Sequence, residues 1–119
     1  MKVLLENLPP SLQTNAEIIR QCIEAFDGVM PLQSVYLFGS HTCGKAHKDS
    51  DVDLCIVSED AGHQFTAAER LRHAIWNIWP RPSFTQIPIS PQRLTEKKAC
   101  HDPFFETILT EGIQLVAKN

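Results

Sequence analysis

The chain has 119 residues, a formal net charge of −3 at pH 7, 43% hydrophobic residues and 21% charged ones. That is the size of one domain with a real core and the composition of an ordinary soluble protein. The mildly acidic balance offers no general attraction to nucleic acid or to an anionic membrane, so nucleic acid is not favoured as an obligatory partner.

The lead-in through Pro9-Pro10 has no period and reads as irregular. Thr14-x-x-Glu17 has the form of a capping box. Ala16, Ile19, Cys22, Ile23 and Phe26 recur behind it at helical spacing, with Gly28 as the stop. Met30-Pro31 breaks that pattern before a strand from about Ser34 to Phe38. A second strand, about Val52 to Val57, is apolar on both faces beyond an acidic start, as befits a central strand covered on both sides. Glu59-Asp60-Ala61-Gly62 then turns the chain into a second capping box, Thr66-x-x-Glu69. This leads a helix with Leu71, Ala74, Ile75 and Ile78 on one stripe, ended by Pro80 and Pro82. A third strand, about Phe84 to Ile89, is interrupted by Pro88, which points to a sheet edge. Ser90-Pro91 starts a short helix towards Lys98. Asp102-Pro103 supplies the N-cap and first position of a last helix to about Thr110, closed by Glu111-Gly112, and Ile113 to Val116 forms a final extended piece. Without repeats or low-complexity tracts, this order predicts a single domain over residues 1–119. Its fold class is α/β (α+β), a small mixed β-sheet with helices packed against it.

Targeting and redox signals are few. No apolar run approaches the roughly 20 residues of a membrane span, and Met1-Lys2-Val3-Leu4-Leu5-Glu6 is charged too soon for a signal peptide. A cytoplasmic protein with no membrane contact is expected. Cys22, Cys43, Cys55 and Cys100 are widely spaced and read as free thiols. His41, Cys43 and His47 lack the paired spacing of a zinc site.

The chemistry concentrates between the first two strands. Gly39-Ser40 ends one apolar run, ten residues follow, and Asp51-x-Asp53 opens the next. Glycine lets the backbone turn sharply and approach a ligand. A short helical turn from Ser40 would face its N–H groups to an anion, and His41, Lys45, His47 and Lys48 make the loop basic. Strand residues two apart share a face, so Asp51 and Asp53 project together and suit a Mg²⁺ ion shared with substrate phosphates. Taken alone, the pair reads sooner as a strand cap at Asp51 and a solvated edge residue at Asp53.

Gly39-Ser40, ten residues and Asp51-x-Asp53, each half on an apolar strand, resemble the signature of the minimal nucleotidyltransferases of the DNA polymerase beta-like superfamily. Gly44 and Ser50-Asp51-Val52-Asp53-Leu54 fit that loop and strand. Asp102-Pro103-Phe104-Phe105 through Glu111-Gly112-Ile113 resembles the family's closing helix, so the likeness covers nearly the whole chain. It implies a nucleotidyltransferase-like domain in which Gly39 and Ser40 hold the β,γ-phosphates of an NTP. Asp51 and Asp53 would be the catalytic carboxylates and the ligands of Mg²⁺ (or Mn²⁺). The implied reaction is transfer of a nucleotidyl group to a hydroxyl with release of pyrophosphate. It further implies a companion protein of the HEPN type, as in a toxin–antitoxin-like pair, or a homo-oligomer, since the chain shows no acceptor-binding extension.

One departure limits the resemblance. The family carries a third carboxylate on the next strand, whereas Ser83-Phe84-Thr85-Gln86-Ile87-Pro88-Ile89 has none; Thr85 or Gln86 takes its place. Neither supplies the charge that holds a second metal. Glu59 is roughly 20 Å along the strand from Asp53. Asp49 lies in the loop, and Glu69 is better used as a helix cap. An alternative is therefore a catalytically impaired nucleotide- and partner-binding module. Trp76 and Trp79 read either as core or as an exposed partner surface, and Arg93, Lys97 and Lys98 as a solvated basic face.

Overall fold

The computed structural model describes residues 1–47 and 50–118. Its strands are β1 (Lys2–Val3), β2 (Ser34–Phe38), β3 (Val52–Val57), β4 (Phe84–Ile89) and β5 (Ile113–Ala117). The helices are α1 (Ala16–Val29), α2 (Gln64–Ala74), α3 (Pro91–Ala99) and α4 (Pro103–Glu111). The strands form one mixed sheet in the order β1-β5-β2-β3-β4, antiparallel throughout except for the parallel pair β3–β4. The three internal strands coincide with the apolar runs of the sequence. β4 lies at an edge, as Pro88 required.

Alternation along the strands gives the sheet two buried faces. Val35, Leu37, Leu54 and Ile56 meet Ile19, Ile23 and Phe26 of α1 and Leu71 of α2. Their neighbours Cys55, Val57 and Ile89 point the other way, against Phe105 and Ile108 of α4. Each fully buried side chain of this size contributes about 1.5–3 kcal/mol, so both helix layers matter to stability. Burial also pushes the thiol of Cys55 up to about 12 and that of Cys22 to about 11. No helix among the described residues is long and apolar enough to cross a membrane.

Several sequence expectations are corrected at the helix ends. Residues Pro10–Asn15 form a 3-10 turn, so Thr14 lies inside it and α1 starts at Ala16 without a side-chain cap. Gly28 does not end α1, which runs on to Val29 and stops at Met30 ahead of Pro31. In α2 the cap is His63, whose ring accepts from the Thr66 N–H, so Thr66 and Glu69 lie within the helix; α2 ends at Ala74, before Pro80. The lead-in is not irregular, because Lys2 and Val3 pair with Ala117 and Val116. The caps of α3 and α4 stand as expected. Ser90 accepts from the Arg93 N–H, and Asp102 accepts from those of Phe104 and Phe105.

Candidate active site

The antiparallel register of β2 and β3 sets Phe38 opposite Asp53, and the parallel register of β3 and β4 sets Thr85 beside Asp53 on its other flank. The chain leaves β2 through Gly39 at φ +84°, a left-handed conformation that favours glycine. A Cβ at that position would lie 2.1 Å from Oδ2 of Asp53 and 3.1 Å from its Cγ. Glycine is thus required twice, once for the turn and once because the carboxylate occupies the space a side chain would take. Gly39 and Asp53, fourteen positions apart in sequence, form one contact.

Asp51 is exposed and lies one residue before β3 begins, and its charge reaches Asp53. Asp53 holds its proton above the usual carboxylate range. Burial is the first cause and the charge of Asp51 adds to it, while the Thr85 hydroxyl and the His41 ring pull the other way. Neither Asp51 nor Asp53 forms an ion pair among the described residues.

The loop over this pair is organised by its own hydrogen bonds. Residues Gly39–Thr42 form a 3-10 turn, the Thr42 hydroxyl donates to the Gly39 carbonyl at 2.7 Å, and Ser40 is half-buried. His41 departs from the expected basic loop. It is 7% exposed, wedged between Ser11 at 2.9 Å from Nδ1 and the Ser50 carbonyl at 3.3 Å from Nε2. A carbonyl only accepts, so Nε2 carries a hydrogen, and in the neutral ring Nδ1 accepts from the Ser11 hydroxyl. His41 thus ties both ends of the loop to the segment before α1. Lys45 and His47 remain exposed in the loop, while Lys48 and Asp49 lie outside the described residues.

The register also decides between the two residues the sequence offered at the third-acid position. Thr85 shares a face with Asp53; Gln86 is paired with Leu54, points to the other face and is 9% exposed. Glu59 lies beyond the far end of β3, where it accepts from Gln92 at 3.2 Å, and Glu69 is exposed on α2. Among the described residues no three of His, Cys, Asp and Glu stand together as a metal cluster. Two carboxylates beside an open glycine face fit one hard divalent cation that completes its shell with phosphate oxygens. They do not supply a second metal.

Sequence reasoning missed a cavity beside Gly39. It measures about 360 Å³ and is lined by Phe38, Gly39, Thr42, Phe104, Ile108 and Glu111 among others. Phe104 packs edge-on against Phe38 with ring centroids 5.6 Å apart. The aromatic pair Phe104-Phe105 at the start of the closing helix was the available signal.

The comparisons with known proteins agree with this architecture. The model of the nucleotidyltransferase domain family matches residues 16–104, well over half of the sequence, and the chain belongs to that family, whose general chemistry is nucleotidyl transfer. The protein adenylyltransferase MntA of Shewanella oneidensis is 41% identical over 34 residues, which cover 29% of this chain and 24% of that protein. The chain thus matches only about a quarter of that curated relative's length. A candidate nucleotidyltransferase from Sulfolobus solfataricus superposes with a TM-score of 0.51 at 16% identity, covering 82% of this chain and 76% of its own. A toxin–antitoxin complex with AMP-PNP gives a TM-score of 0.51 at 23% identity, with 84% and 73% covered. At these identities the structural likeness is one of fold.

Proposed function

We propose that residues 1–119 act as one domain that binds an NTP with Mg²⁺ (or Mn²⁺) and transfers its nucleotidyl group to a hydroxyl of a partner protein, releasing pyrophosphate. The observation that carries this reading is the contact between Gly39 and Asp53, which joins the two halves of the motif. The Ser40 hydroxyl and the turn that follows Gly39 are the donors for the β,γ-phosphates, and Asp51 and Asp53 are the ligands for the cation. The cation would neutralise phosphate charge and orient the α-phosphate for in-line attack. The cavity bounded by Phe38, Phe104 and Glu111 gives the nucleoside a place beside Gly39.

In that step the acceptor oxygen bonds to the α-phosphorus as the α–β bridging P–O bond breaks. Pyrophosphate leaves with the electron pair. The hydroxyl proton has no carboxylate on β4 to receive it and passes to solvent water.

Support for a partner comes from the relatives, two of which are toxin–antitoxin structures. One contains AMP-PNP, and the other is a MntA–HpeT mutant with two aspartates, two positions apart, changed to glutamate. By the family resemblance the companion would be of the HEPN type. Thr85 favours a second reading, a slowed or silent nucleotide-binding partner of that companion, because its hydroxyl stands where a carboxylate would. Incubation with labelled ATP, GTP, CTP and UTP plus Mg²⁺ or Mn²⁺, with and without the neighbouring gene's product, separates the two. Incorporation lost in Asp53→Ala is the expected result; nucleotide binding without incorporation in every condition leaves only the silent module.

A further inference from the structure

We infer that the cleft between the end of α2 and the free edge of β4 docks an extended, acidic segment of a partner protein. Trp76 and Trp79 are the only tryptophans of the chain, and they stand 70% and 62% exposed, not in the core. The Trp79 ring is held in place. The Trp79 indole N–H donates to the Trp76 carbonyl at 2.7 Å, and the Arg81 guanidinium sits 4.1 Å from the Trp79 ring centroid. Arg81 is fixed in turn by donating to the carbonyls of Ile75 and Pro82 at 3.3 and 3.0 Å. Rigid tryptophan and arginine are the residue types that dominate binding energy, because little freedom is lost when they are covered.

These side chains, with Arg72, Phe84 and Gln86, line a cleft of about 310 Å³. Its charge selects the occupant. Neither Arg72 nor Arg81 is paired with a carboxylate among the described residues, although the chain as a whole is acidic; Glu69 shares a neighbouring hollow with Arg72. Gln86 lines the cleft wall, and its amide makes no hydrogen bond to the protein among the described residues but reaches solvent there. That leaves a donor and an acceptor for an incoming main chain. Among the described residues β4 has no strand on its outer side, and between Phe84 and Ile87 its backbone is free of proline. A single-stranded nucleic acid needs a track of cations along several phosphates, whereas two arginines beside a glutamate suit a short run of carboxylates.

The two tryptophans make the cleft its own reporter. The probe is a synthetic peptide of about eight alternating Glu and Val residues, long enough to run along β4. Its Lys–Val counterpart and an oligouridylate serve as controls. The expected result is a saturable change in tryptophan emission with the Glu peptide alone. It weakens at least tenfold in Arg72→Glu, a residue whose side chain holds nothing in the fold, and weakens as salt is added. No saturable change, an equal response to the Lys peptide, an unchanged affinity in Arg72→Glu or competition by the oligouridylate would overturn the proposal. Gln86 faces away from Asp53, so the outcome is independent of the nucleotide reading.

Discussion

Replacing Gly39 by alanine separates backbone strain from damage to the carboxylate pair. The new Cβ would lie 2.1 Å from Oδ2 of Asp53, so the carboxylate must retreat by about 1.3 Å to reach an ordinary contact of 3.4 Å. It is the end of a short side chain and can move, so the fold survives. The left-handed backbone adds about 1–2 kcal/mol of strain. Gly44 supplies the control: its φ is +74°, yet nothing lies within 4 Å of a Cβ there. Urea unfolding should therefore show similar losses, about 1–2 kcal/mol, for Gly39→Ala and Gly44→Ala. Titration with ATP and Mg²⁺ by calorimetry should divide them. Gly39→Ala should bind on the order of a hundredfold more weakly, because displacements near 1 Å cost that much at a positioned site, while Gly44→Ala keeps most of its affinity. Equal nucleotide affinity in the two variants would refute the placement of Asp53 as ligand.

Two further outcomes follow from the same row of side chains. Thr85→Asp places a third carboxylate beside Asp53, so thermal stability without divalent ions should fall while Mg²⁺ affinity rises roughly tenfold, read as a metal-dependent rise in Tm. Gln86→Asp, on the other face, should lose stability without that gain; the reverse pattern would show that the parallel register is misplaced. Asp53→Asn tests the carboxyl's raised proton affinity. A raised acid is protonated more readily in the folded chain than in the unfolded one, so wild-type stability falls as pH rises from the ordinary carboxylate range through the raised value. In EDTA the Asn variant should match wild type in acid and exceed it near neutrality. An Asn variant less stable than wild type at neutral pH would contradict the cause assigned to the shift.

The strands were legible because apolar residues cluster in each between residues that break the pattern, and β2, β3 and β4 fall where those clusters fall. Helix starts were less so. Thr14 and Thr66 head sequences of capping-box form, but a 3-10 turn before α1 and a histidine cap before α2 took over, and such local hydrogen bonds leave no period in a sequence. β1 escaped because two residues cannot show alternation and their partners lie at the other end of the chain. At the site, the glycine and the aspartates were readable from spacing. That Thr85 and not Gln86 stands at Asp53 depends on the register between strands, which no single strand's sequence specifies. His41 looked like one more basic loop residue until Ser11 was found beside it.

The position of β5 bears on how this domain is made. It lies between β1 and β2, so the strand that carries the Gly39 turn on its end lacks one neighbour until the last strand has left the ribosome. Every residue of the candidate pocket is synthesised earlier, yet the sheet beneath it stays open-edged and prone to pair with other chains. The nascent domain therefore passes through a stage at which its motif is complete and its scaffold is not. Removing Ile113–Ala117 would not give a trimmed domain; it would strand the chain at that adhesive stage, with β1 cut loose as well.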